Sequence, residues 1–204
     1  MERGAEPGGG AQGRYTRMIR EETARMGRQV ERILQVASLE RGDLQLVRAP
    51  VDGRDLLEAA TRSFGLRVES LGGTVQVEQP AESAPLLADE VHLEAALDNL
   101  LENAAKYSPE PPDIRVEGAV VGGRFVIRVA DRGMGVDRRD RERVFEPYYR
   151  CPTGDRHDVK GYGLGLSYVR LVARAHGGEA RLEARPGGGT VAVLTIPTAG
   201  REEA

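Results

Sequence analysis

The stretch Leu97 to Pro109, LDNLLENAAKYSP, carries the densest chemistry of the chain. Asn99, Asn103 and Lys106 fall at i, i+4 and i+7, so on a helix they share one face. Leu93, Leu97, Leu100, Leu101 and Ala104 cover much of the rest. Asparagine competes with the backbone and prefers caps and turns, so two inside a helix need a reason. Amide oxygens are hard neutral ligands suited to Mg2+, and the ammonium of Lys106 is a compact cation suited to phosphate. A metal-and-phosphate face and an ordinary solvated face are the two readings of this stretch alone.

Two further places bear chemistry. Asp131 closes the apolar run FVIRVAD, where a buried carboxylate is costly unless paired. An ionised carboxylate only accepts hydrogen bonds, so a purine exocyclic amine suits it. Gly133 and Gly135 follow at alternate positions, where missing side chains let a ligand approach the backbone. Gly161, Gly163 and Gly165 run straight into a helical pattern, and a helix N-terminus presents free N–H groups and positive dipole to anions. No Gly-Lys-Ser or Gly-Lys-Thr appears there, which excludes a Walker loop.

The first stretch resembles the N box of sensor histidine kinases. DRGMGV at Asp131 to Val136, VFEPYYR at Val144 to Arg150 and GYGLGLSYV at Gly161 to Val169 resemble that family's G1, F and G2 boxes, in the family's order. The resemblance runs from about Tyr15 to Pro197. It implies an α/β (α+β) two-layer sandwich, helices on one face of a mixed β-sheet, the Bergerat-type ATP-binding fold. It implies Mg2+ and ATP, with Mg2+ on Asn103 and Asn99, Asn103 and Lys106 serving phosphoryl transfer. It places Tyr107 against the adenine and Asp131 on its amino group, with Gly133, Gly135, Arg150, Lys160, Gly161, Gly163, Leu164, Gly165, Leu166 and Thr190 around the nucleotide. The polar stretch between Arg150 and Tyr162 matches the family's ATP lid.

These side chains need elements to hold them. Val47–Val51 reads as a short strand and Gly53–Leu71 as a helix with Leu56, Leu57, Ala60, Phe64 and Leu66 or Val68 inward. Strands are expected at Thr74–Glu78, Pro85–Ala88, Asp113–Glu117, Arg124–Ala130, Ala180–Ala184 and Thr190–Ile196, with the strand total put at five or six. A helix is expected over Leu164–Ala175, and Pro109 to Pro112 stops the asparagine helix. Phe145 and Tyr149 are expected to pack at the root of the lid, and Cys151 to be a bystander.

Upstream, residues 1–13 read as a leader or junction. Over 14–46, Ile19, Thr23, Met26, Val30, Ile33 and Ala37 form a coiled-coil-like seam, a long amphipathic helix that needs a partner. The resemblance makes it the second helix of a dimerisation hairpin. The catalytic domain is expected over 47–198 and a tail over 199–204. The family's phosphoacceptor histidine belongs to a first helix, and His92, His157 and His176 do not stand in such a context. The expectation is therefore ATP binding without self-phosphorylation, with phosphoryl transfer to a histidine-bearing helix outside the chain. Implied partners are that helix, a response regulator receiver domain and a second copy through the N-terminal helix.

Formal net charge of −3, with no basic block, gives no sign of nucleic-acid binding. A single cysteine excludes an intrachain disulfide. Without a bilayer-spanning apolar run a cytoplasmic location is expected, with any inner-membrane anchor elsewhere in a longer parent. Two alternatives stand beside the kinase reading: a degenerate nucleotide-binding module, and an anti-sigma-factor-type serine kinase. Superfamily ATPases that hydrolyse ATP carry a glutamate where Asn99 stands.

Overall fold

Alternation of apolar and charged residues decides which face of the sheet is covered. The computed structural model describes residues 44–151 and 162–200, with isolated residues 15, 16 and 23. The leader, the seam from Ile19 to Ala37 apart from Thr23, most of the stretch expected to be a lid with Lys160 and Gly161, and the tail from Arg201 lie outside the described residues. In chain order the elements are β1 (Ala49–Asp52), α1 (Gly53–Ser70), β2 (Thr74–Glu78), β3 (Pro85–Ala88), α2 (Glu90–Tyr107), β4 (Asp113–Val121) and β5 (Arg124–Ala130). A 3₁₀ turn (Arg143–Phe145), α3 (Gly165–Ala175), β6 (Glu179–Ala184) and β7 (Thr190–Pro197) complete them.

The main sheet has five strands in the order β2-β4-β5-β7-β6, with β2 parallel to β4 and the other neighbours antiparallel. It is a mixed sheet, as expected. The remaining two strands, β1 and β3, pair with each other as a separate antiparallel ribbon. The described strands thus number seven rather than five or six. Alternation identifies a strand without saying which sheet it joins.

On one face Val116 and Val129 pair across β4 and β5, while Ile127 faces Leu194 and Phe125 faces Ile196 across β5 and β7. All of them are buried in one core with Leu56, Leu57 and Phe64 of α1, Leu93, Leu97 and Leu101 of α2, and Val169 and Val172 of α3. Such aligned apolar pairs are what holds a sheet to its covering helices. Val68 is buried while Leu66 is exposed, which decides the inward residue of α1. The opposite face carries Glu78, Arg115, Glu117, Arg128, Arg181 and Glu183 in ion pairs. Val193 lies on that face between Arg128 and Arg181 in the register, yet is only 1% exposed. Long arginine stems cover apolar surface while their heads stay in water.

Each helix that reaches the site has a defined start. Asp89 caps α2, its side chain accepting from the His92 N–H. The N-cap of α3 is Leu164, which offers no side-chain acceptor to the first turn. Between β4 and β5 the turn is Gly122-Gly123, both at positive φ, as a two-residue hairpin turn requires.

Candidate active site

A cleft of about 250 Å³ opens between α2, the start of α3 and the ends of β5 and β7. Asn99, Asn103, Lys106 and Tyr107 line it from α2. Asp131 and Gly135 line it from the segment after β5, and Thr190 from β7. Gly163, Leu164, Gly165 and Leu166 form the α3 side, with Arg150 nearby. The sequence-expected residues thus meet in one place, except Gly133, which is not on the wall, and Lys160 and Gly161, which are not among the described residues.

Asp131 is 8% exposed. Its Oδ1 accepts from the backbone N–H of Gly133 at 2.7 Å and of Thr190 at 3.1 Å. With Oδ1 engaged twice, Oδ2 is the oxygen left for a donor in the cleft. Burial pushes the carboxyl above its ordinary range, opposed by the two N–H donors and by Arg185. A ligand donor at Oδ2 would restore part of what desolvation removes. Gly133 serves this geometry indirectly: a Cβ there would stand 2.4 Å from the Tyr107 carbonyl.

At the opposite end, the asparagine amides face the start of α3. Asn99 donates from Nδ2 to the Ala95 carbonyl at 2.8 Å, so one of its two amide hydrogens is spent one turn back. A Cβ on Gly165 would lie 2.8 Å from Asn99 Oδ1 and 3.8 Å from Asn103 Nδ2. Only glycine lets the first turn of α3 come this close to α2. Lys106 Nζ stands 5.2 Å from the centroid of the Tyr107 ring, a cation–π distance. Glu102 reaches the rim, but its carboxylate meets Arg67 of α1 at 3.4 Å.

Phe145 and Tyr149 pack as expected, joined by one residue the sequence did not reveal. Phe145 is buried, with the Arg170 guanidinium 4.0 Å from its ring centroid. Tyr149 donates its hydroxyl to Asp140 Oδ1 at 2.8 Å, and Arg143 stacks on its ring at 4.3 Å. Asp140 is 7% exposed although it sits in the charged run RRDRER. Tyr148 holds φ at +64° and donates its N–H to the Gly163 carbonyl at 3.0 Å. A Cβ on Gly163, itself at φ +73°, would press on the Tyr148 and Tyr149 backbone at 2.9 Å. Cys151, expected as a bystander, lines the cleft, and burial pushes its thiol up and away from the reactive thiolate. Tyr149→Phe removes the Asp140 donor and should lower the urea midpoint with unchanged slope.

Residues 88–200 match the family described as Histidine kinase-, DNA gyrase B-, and HSP90-like ATPase. The chain belongs to this ATPase family. It is 33% identical over 182 residues to the sensor protein RprX of Bacteroides fragilis, covering 88% of this chain and 35% of that protein. Its fold matches full-length ShkA, solved in complex with AMPPNP, at TM-score 0.74 and 27% identity over 94% of this chain and 40% of that one. It matches the mycobacterial sensor histidine kinase MprB at TM-score 0.63 and 27% identity over 74% of this chain and 98% of that one. The chain thus corresponds to the ATP-binding catalytic portion of sensor histidine kinases and spans about a third of the length of the curated relatives it matches.

Proposed function

We propose that this member of the ATPase family binds Mg-ATP in the cleft and passes the γ-phosphoryl group to a histidine on a helix beyond the three histidines here. The observation that carries the reading is the pairing of opposite ends: the Oδ2 acceptor of Asp131 at one, the amides of α2 against an uncapped helix start at the other. An adenine amine fits the first and a triphosphate the second.

The donor set fits a magnesium ion. Among the described residues no group of three His, Cys, Asp or Glu could hold a metal. Mg2+ takes few protein ligands and is completed by phosphates and water, so the Asn103 amide oxygen is a sufficient protein anchor. When bound, the ion supplies neutralisation of phosphate charge. The rest falls to the chain. Asp131 orients the base, Tyr107 flanks it, and Lys106, Arg150 and Lys160 offset charge on the phosphates. The α3 N–H groups hold the phosphate chain, and Gly135, Gly163, Leu164, Leu166 and Thr190 shape the walls. Phosphoryl transfer through a loose transition state asks for positioning and charge compensation rather than covalent help.

Hydrolysis fits less well. Among the described residues the carboxylates lining the cleft are Asp131, at the base end, and Glu102, engaged by Arg67. Neither stands where Asn99 does, so among the described residues no base is placed to activate water. His92 and His176 are engaged in contacts away from the cleft, which favours an acceptor elsewhere. A receiver domain as the next acceptor, pairing through residues 14–46 and a cytoplasmic location complete the proposal. No helix among the described residues is long and apolar enough to cross a membrane.

The test is calorimetry with Mg-ATP, followed by incubation with labelled ATP and a separate acceptor-helix peptide. Binding with acid-labile label on the peptide's histidine supports the reading. Label on serine favours the anti-sigma type, and binding without transfer a nucleotide-binding module. No binding overturns the proposal.

A further inference from the structure

Two histidines sit together away from the cleft, where α2 begins and α3 ends. His176 is the C-cap of α3 and is 6% exposed. Its Nδ1 lies 2.8 Å from the Val172 carbonyl, which can only accept, so Nδ1 carries a proton. Its Nε2 accepts from the Asp89 N–H at 3.0 Å, so Nε2 carries none. The two contacts fix one neutral tautomer.

Asp89 in turn holds two backbone segments. Its Oδ1 accepts from the His92 N–H at 3.2 Å, capping α2, and its Oδ2 from the Val47 N–H at 2.8 Å. Next in sequence, Arg48 donates from Nη2 to the Ala175 carbonyl at 2.6 Å. Leu44 packs against the core from the same segment. Residues 44–48, through which the first part of the chain enters the ATPase domain, are thus fastened by one carboxylate and one guanidinium. The residue bearing that carboxylate is itself held by His176.

We propose that His176 and Asp89 form a proton-operated latch, which fastens the entering segment at Val47 to the ATPase domain and lets it go on mild acidification. Protonation places an N–H on Nε2, facing the Asp89 N–H across 3.0 Å. Two donors then meet with no acceptor between them. The imidazolium draws the Asp89 carboxylate, and a carboxylate that turns toward it releases the Val47 N–H and the cap of α2. One proton is taken up at Nε2, and nothing but hydrogen bonds changes.

The charged and titratable groups around His176 come from each element packed on it. Asp89 and His92 come from the start of α2, and Arg48 from the entering segment. Tyr168 of α3 bonds the His92 ring, its hydroxyl 2.7 Å from Nδ1. Burial holds His176 below its usual 6.5, with Arg48 and His92 adding to it and the Val172 carbonyl and Asp89 opposing it. Burial also acts to raise Asp89, but the N–H groups of Val47 and His92 and the two nearby histidines outweigh it and keep the carboxyl low. Asp89 is therefore charged where the open form's histidine, at its usual 6.5, takes its proton. Because the closed form favours neutral His176, the open form takes the proton first. The latch is at full strength above the unperturbed value and weakens as pH falls from there through the lowered pKa of the folded state.

Amide hydrogen exchange of the full chain, corrected for intrinsic rates, tests this. Protection of the Val47 amide should fall by up to about tenfold between roughly pH 7.5 and 5.5, following protonation of His176, while β5 amides hold. His176→Gln offers an acceptor to Asp89 and a donor to Val172 without titrating, and should abolish the fall. A fall that persists in H176Q, or Val47 protection that stays flat while the His176 ring protonates, overturns the latch. The comparison of midpoints in the unmodified chain decides the matter should H176Q not fold.

Discussion

Asp131→Asn will weaken ATP binding by about a hundredfold or more while leaving the fold in place. The two N–H donors from Gly133 and Thr190 lock the remaining side-chain oxygen, so the new amide turns its NH2 group into the cleft. A donor then faces the adenine amine, itself a donor, and the site loses a charge-assisted bond and gains an unpaired group. The same swap suits a purine with a 6-oxo group. Inosine triphosphate should therefore bind D131N better than ATP does, reversing the order in the unmodified chain. Calorimetry with both nucleotides measures this, and retained ATP preference in D131N would contradict the role given to Asp131.

A pH dependence follows from the same carboxyl. Burial holds Asp131 above the ordinary value of 3.8 in the free protein, and an amine donor at Oδ2 favours the charged form. Binding thus lowers its pKa and expels a proton from the protonated fraction. Affinity should fall as pH drops through the raised pKa, by up to about tenfold per pH unit. Titrations carried down through the acid range in buffers of different ionisation enthalpy should show proton release, absent in D131N.

Asn103→Ala will slow phosphoryl transfer by about a hundredfold to a thousandfold with little change in adenosine binding. The amide faces the start of α3, which the proposed function makes the phosphate end, with the base assigned to Asp131 on the other wall. Removing it takes the protein anchor from the metal and leaves base recognition alone. Asn103→Asp should also fail, because its charge repels the phosphates and alters the metal site. Single-turnover transfer rates beside adenosine and ATP affinities separate the two ends. Equal loss of adenosine and ATP binding would instead mark Asn103 as a fold residue.

Much of this was legible in the chain. Val, Ile and Phe alternating with Arg mark β5 and its buried face, and leucine spacing marks α2 and the side its amides occupy. Asp131 stands out because a carboxylate closes an apolar run. Asp140 does not, because RRDRER reads as solvated charge. Its partner Tyr149 lies nine residues on and arrives only through the 3₁₀ turn. The β1–β3 ribbon was read as strands but not as a separate sheet, since pairing depends on contacts between distant segments. Likewise the linkage of Asp89 to His176 spans 87 residues and leaves no local pattern.

Val193 lies between Arg128 and Arg181 on the sheet surface that carries no helix among the described residues. What keeps that side wettable is as much the carbon of the two guanidinium arms as their charge. Lysine at either place would keep an aliphatic awning over the valine, whereas alanine would bare an oily stripe to neighbouring molecules. Self-association of this domain at high concentration is therefore governed by side-chain length on its uncovered flank.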